Sequence, residues 1–188
     1  MKRWKKTLCT VLSICLVFSL FTGTGFASEA AETHGALRNG ALSEDTDGWD
    51  VSGGLPLTTD DNAEAGYKIA DGENGARHLS IWNKSTESKT FSMTQTIANL
   101  AAGSYTARLE SVGNSLTKHN LILKAHNDTT NQEVAVNINT QEWNVYVSSA
   151  TAALEVSEGD TVTISISGPL EAKAADANEG EWYGIRNV

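Results

Sequence analysis

The chain has 188 residues, with 23 acidic against 14 basic side chains and a formal net charge of -9. That balance excludes a nucleic-acid binder that works by neutralising phosphates. With 40% hydrophobic and only 20% charged residues the chain is not globally disordered, and its length suits one domain or one domain behind an N-terminal address.

Residues 1–27 differ from all that follow. Lys2, Arg3, Lys5 and Lys6 form a basic stretch, and Leu8 to Phe21 is almost wholly apolar and uncharged. Gly25-Phe26-Ala27 then supplies small residues at the spacing read by signal peptidase. This is the three-part pattern of a secretory signal peptide, with a cut after Ala30 as the alternative site. A retained anchor is the competing reading, but the apolar run is shorter than the roughly 20 residues a span needs. Both cysteines, Cys9 and Cys15, lie inside this segment. Leu8 and Ile14 precede them where a lipoprotein box needs a small residue. The mature chain is therefore expected to be secreted, off the membrane, and without disulfide or cysteine chemistry. Removing the four cations of residues 1–27 takes the charge from -9 to -13.

Residues 28–36 read as a flexible lead and 37–188 as the domain. Short β-type runs recur there between turn clusters. Gly66 to Ala70 and Arg77 to Trp82 flank the turn Asp71 to Gly75. Phe91 to Ile97 alternates, with Phe91, Met93 and Ile97 on one face. Ser104 to Glu110 places Tyr105, Ala107 and Leu109 together. Asn120 to Ala125 and Glu133 to Ile138 form a hairpin around Asn127 to Asn131. Glu142 to Val147 reads as a strand, and Glu158-Gly159-Asp160 turns into the period-two run Thr161 to Ser167. Pro169 to Glu179 is either a short helix or a loop, and Trp182 to Val188 is the last strand. About ten short strands at this spacing predict an all-β fold, a β-sandwich or jelly roll. The stop in mid-strand at Arg186-Asn187-Val188 suggests a fragment of a longer protein.

No sequence signature of catalysis is present: no G-x-S-x-G, no H-E-x-x-H, no phosphate loop and no dinucleotide fingerprint. His34, His78, His119 and His126 are scattered, and the last two fall on opposite faces of a strand, so no metal site is expected. Among the many carboxylates nothing marks out a glycosidase pair. The aromatics say more. Sugar rings offer an apolar C–H face to an indole, while their hydroxyls need polar partners. Trp82 ends a strand beside Asn83 and near Arg77 and His78, and Trp182-Tyr183 follows the polar loop Asp176 to Glu181. These six residues are the candidate ligand-binding set. Trp49 and Tyr105 are expected in the core, and Trp143 is left open between core and surface.

The order of three blocks resembles a known superfamily. Leu37-Arg38-Asn39-Gly40-Ala41-Leu42 with Gly48-Trp49 and Val51-Ser52-Gly53 looks like the opening "NG-x-F-E … GW-x-V-x-G" of secreted jelly-roll carbohydrate-binding modules. His78 to Trp82, then Gln95 to Leu100 and Gly103-Ser104-Tyr105, resembles "aL-x-x-W … Q-x-I-x-x-L-x-x-G-x-Y". Trp182 to Val188 is similar to "W-x-x-I-D-N-V". Within that superfamily the chain most resembles the galactan-binding modules of family 61, which accompany secreted endo-β-1,4-galactanases of glycoside hydrolase family 53.

The resemblance implies a non-catalytic module that binds β-1,4-galactan or a similar neutral polysaccharide. It implies stacking at Trp82 and Trp182, and a glycoside hydrolase as a downstream catalytic domain. A structural or adhesive β-sandwich of a secreted or cell-surface protein is the alternative. Modules of this type often hold a structural calcium, but Ser43 stands at the glutamate position of the first block and Arg186 at the aspartate of the last. Both remove an oxygen ligand that calcium requires. The usual site is expected to be absent or altered, with no cofactor in its place. Titrating calcium is accordingly expected to leave the melting temperature essentially unchanged, and a large rise would contradict this.

Overall fold

Threonine, serine and β-branched residues in strict alternation suit a pleated surface with one dry and one wet face. The run Asp160–Leu170, the eleventh strand of the fold (β11), is the clearest case: Val162, Ile164 and Ile166 are buried while Thr163, Ser165 and Ser167 stand on the other face. A computed structural model describes residues 36–188 except 73, 74, 115, 116, 142 and 144. The signal peptide, His34 and nearly all of the lead expected from the sequence lie outside the described residues.

The strands in chain order are β1 (Asp50–Ser52), β2 (Ala65–Asp71), β3 (Arg77–Asn83), β4 (Lys89–Leu100), β5 (Gly103–Tyr105) and β6 (Arg108–Gly113). They continue with β7 (Ile122–Asn127), β8 (Gln132–Asn137), β9 (Val147–Ala150), β10 (Leu154–Val156), β11 and β12 (Glu181–Arg186). One five-stranded sheet has the order β1-β4-β11-β7-β8, the other β2-β3-β12-β6-β9, and β10-β5 forms a small ladder. The described pairings between named strands are all antiparallel. Phe91, Met93, Leu123, Ile164 and Ile166 of the first sheet pack with Leu79, Ile81, Leu109, Tyr183 and Ile185 of the second in one apolar core. The chain is thus an all-β sandwich of the jelly-roll type, as its periodicity predicts.

Local chemistry fixes the connections. The β7–β8 hairpin turns on Asn127, whose Oδ1 accepts the Thr129 and Thr130 amides, each at 3.0 Å. Its Nδ2 donates to Asp160 at 2.8 Å, and Asp160 also accepts the Ser157 amide at 2.9 Å. These bonds, led by that of Asn127, hold the Asp160 carboxyl below its ordinary range. A depressed folded pKa gives stability that is present above the unfolded value of about 4 and lost as pH falls through the folded one. Asp160→Asn is therefore expected to lower the melting temperature at neutral pH, with the difference from the parent shrinking in acid. A gap that stays constant with pH would contradict the assignment.

Two expectations need correction, and one left open is decided. Tyr105 is 37% exposed, because the chain leaves the β5–β10 ladder after it and joins a different sheet at Arg108, so alternation does not carry across. The expected strand Glu142 to Val147 enters a ladder only at Val147; Trp143 sits in a turn and is 64% exposed. Glu142 and Asn144 lie outside the described residues. Of Pro169 to Glu179, the first two residues end β11 and the rest is a loop without helix. Trp49 is buried as expected, its indole N–H donating to the Asn39 carbonyl at 3.3 Å. Among the described residues no helix is long and apolar enough to cross a membrane.

Candidate functional site

Pairing of β12 with β3 creates the site. The register sets Trp182 opposite Trp82, Gly184 opposite Ser80 and Ile185 opposite Leu79. Tyr183 and Ile185 point into the core, so Trp182, Gly184 and Arg186 share the outer face with His78, Ser80 and Trp82. Val112 and Glu110 of β6 pair with Gly184 and Arg186 and extend that face on one side. Lys68 of β2, opposite Ser80, extends it on the other.

Trp182 lies across this surface with its indole N–H donating to Ser80 Oγ at 2.7 Å. Trp143 comes down from the β8–β9 connection, its ring centroid 4.9 Å from that of Trp182 and tilted by 39°. Below them His78 meets Trp182 edge-on at 5.7 Å, and the Tyr146 hydroxyl is 2.9 Å from His78 Nδ1. Arg186 sets its guanidinium 3.7 Å from the centre of the Tyr146 ring and bonds Glu110 at 2.8 Å. This contact, with a further hydrogen bond from Asn187, holds the Glu110 carboxyl below its ordinary range.

Two hollows of about 570 and 680 Å³ flank the tryptophan pair and share Asp61, Lys68, Ser80, Trp143 and Trp182. One runs on to Lys84, Asn114, Asn178 and Glu179, and the other to Asp71, His78 and Tyr146. The cations here are engaged: Lys68 pairs with Asp61, and Lys84 donates to the Asp61 carbonyl at 3.2 Å. The surface thus offers an exposed aromatic face with hydroxyl, amide and carboxylate groups around it, a lining suited to an uncharged polyol.

Of the six residues singled out from the sequence, Trp182, Trp82 and His78 come together on this face. Trp182 is partly exposed. Trp82 is 5% exposed, covered on its far edge, and its indole N–H donates to the Ala63 carbonyl at 2.9 Å. It walls the first hollow as a packed side chain and presents no open platform. His78 is 4% exposed and underlies Trp182. Arg77 lies at the sheet margin, paired with Glu44 at 3.1 Å and Asp71 at 3.2 Å, and lines neither hollow.

Tyr183 and Asn83 are corrections, because strand alternation turns both inward. Tyr183 is fully buried, its hydroxyl donating to Glu181 at 3.1 Å, and burial pushes its pKa well above the ordinary phenol range. Asn83 is fully buried and bonds the loops on either side. Sequence reasoning left out Trp143, whose signal was its place in a polar, turn-forming stretch, Thr140 to Asn144.

The calcium implied by the resemblance does not fit the residues here. Arg186 directs a cation to Glu110 and Tyr146, and Ser43 brings no carboxylate. Among the described residues no group of three or more histidine, cysteine, aspartate or glutamate side chains is placed to hold a metal ion.

No protein-family profile and no curated protein sequence matches the chain. Among solved structures, TmCBM61 in complex with β-1,4-galactotriose is similar over 82% of this chain and 96% of its own, with a TM-score of 0.56 at 20% identity. The enzymatically active domain of bacteriophage CBA120 tailspike protein 4 matches 82% of this chain but only 21% of its own length, with a TM-score of 0.52 at 13% identity. Likeness at such identities is a likeness of fold, and by that measure this chain shares the fold of TmCBM61.

Proposed function

We propose that this domain is a non-catalytic carbohydrate-binding module. On this reading the face around Trp143 and Trp182 takes β-1,4-galactan or a similar neutral plant polysaccharide. The single observation that carries the reading is Trp143, 64% exposed and laid over Trp182 between two polar-lined hollows. A stacked indole pair rimmed by polar groups, with one ring largely in water, has the character of an interaction surface. A pyranose is a suitable cover. In a β-1,4-linked galactose ring the axial oxygen at C4 leaves C–H bonds gathered on the opposite face, which can lie on an indole, while the free hydroxyls reach the side chains around it.

Charge narrows the polymer. A mature domain at -13, with the lysines of the hollows already engaged, repels a polygalacturonate backbone and leaves a neutral chain acceptable. The domain acts by concentration: held on the polymer, it raises the local concentration of whatever catalytic domain it is joined to, a galactanase-like glycoside hydrolase on this reading. Secretion follows from the signal-like residues 1–27. Affinity electrophoresis through gels containing galactan, arabinan, xylan or cellulose tests the binding. Retardation by galactan is expected, and free migration in all four gels would refute carbohydrate binding and favour a structural sandwich.

A further inference from the structure

His78 occupies a place that the β12 backbone leaves open for it. A Cβ added to Gly184 would come within 2.8 Å of His78 Cδ2 and 2.9 Å of Val112 Cγ1, so the imidazole lies directly over a glycine that nothing larger can replace without movement. Trp182 covers it from one side and Tyr146 from another, with ring centroids at 5.7 and 6.2 Å. Its Nδ1 meets the Tyr146 hydroxyl, while Nε2 is buried and has no hydrogen-bond partner among the described residues. Every large group on this half of the face therefore rests on His78 or on something that does: Trp143 on Trp182, and Arg186 on Tyr146.

We propose that His78 is the positioning residue of this face: as a neutral ring it seats Trp182 and Tyr146, and on taking up a proton it releases them. The doubly protonated ring carries an N–H on both nitrogens, and among the described residues no acceptor is in place for Nε2. The charged and titratable groups around it do not relieve this. Asp71 on β2 is committed to Arg77, Glu110 on β6 to Arg186 and Asn187, and Lys68 and Asp61 to each other. Arg186 on β12 adds a like charge, and Tyr146 carries none.

Burial first, and Arg186 second, hold the His78 pKa below its ordinary value of about 6.5, against the Ala76 carbonyl and Asp71. The sign follows from that depression. The seated arrangement is fully stable above about pH 6.5 and loses stability as pH falls through the lowered folded pKa, because only a released His78 reaches water.

The inference rests on the carbohydrate-binding reading for its purpose, but its test does not need a sugar. Release changes the surroundings of the Trp182 indole and with them its emission, so tryptophan fluorescence is followed from about pH 8 to about pH 4.5. The parent protein is expected to show a transition with its midpoint below about 6.5. His78→Gln is expected to abolish it, and Arg186→Gln, which removes the like charge, to move the midpoint upward. In parallel, affinity for β-1,4-galactotriose is expected to fall about threefold or more between about pH 7.5 and about pH 5 in the parent and to stay level in His78→Gln.

A transition that persists in His78→Gln, its absence from the parent, or a midpoint that Arg186→Gln leaves in place or lowers would overturn the proposal. If His78→Gln fails to fold, the His78 Cε1–H resonance of the parent and of Arg186→Gln gives the same midpoints directly. If galactotriose binds to none of the proteins, the functional reading falls, while the emission titration still decides the role of His78.

Discussion

Trp182→Ala is expected to weaken binding of β-1,4-galactotriose by about 30-fold or more, equivalent to roughly 2 kcal/mol or more. On the proposed function Trp182 is a contact surface, and it is also the floor on which Trp143 rests, at a ring separation of 4.9 Å. Its removal takes away an apolar area that a sugar ring covers and also the partner that fixes the second indole, a pair worth about 0.5–1.5 kcal/mol beyond its buried area. Trp143→Ala is the matched comparison. That side chain is 64% exposed, so its loss costs little folding stability while removing the outermost stacking surface. Isothermal titration of both variants, with thermal melts to confirm folding, gives the measurement. Two folded variants that bind as the parent does would remove the Trp143–Trp182 face from the function.

Asn83→Ala is expected to cost about 3–5 kcal/mol of folding stability, read from urea unfolding, while the protein that remains folded keeps most of its affinity. Asn83 Nδ2 donates to the carbonyls of Glu87, Leu170 and Glu171 at 2.9, 3.2 and 3.0 Å. Its Oδ1 accepts the Ser85 amide and hydroxyl at 3.1 and 2.7 Å. Alanine leaves those groups without the amide, several of them buried, and each orphan costs about 1–3 kcal/mol before relaxation. The site borders loops that this amide ties together, so some loss of affinity is expected with the loss of stability. A variant as stable as the parent but unable to bind would make Asn83 a ligand contact after all, the role its position beside Trp82 suggests in the sequence.

How far the site was legible is clearest from neighbouring residues. Trp82 and Trp182 were both recognisable as large aromatics beside polar residues, yet only one is open to solvent. The difference comes from what lies over each ring: the segment that ends in Ala63 covers Trp82, and the mobile-looking polarity of its sequence gave no sign of it. Tyr183 and Asn83 show a second limit. Each adjoins a tryptophan in sequence, and adjacency in a strand means opposite faces, so Trp182 and Tyr183 cannot both reach one ligand from β12. The alternation needed to see this was present, but the strand is short and apolar enough on both sides to hide which face is the core.

The amino-acid pattern alone determined the fold class. Period-two runs such as Thr161 to Ser167, broken by turn residues, admit little but antiparallel sheets packed on one face, and that information is local. Its basic and apolar opening, its acidic domain and its lack of cysteine beyond residue 27 are likewise properties of composition. The site required tertiary structure. Trp182 reaches Ser80 across 102 residues of chain, and the other groups of this face, His78, Tyr146 and Glu110, arrive on three different strands or connections. Those encounters depend on which strands pair and in what register. A shift of one residue would turn Trp182 into the core and Tyr183 out to the surface.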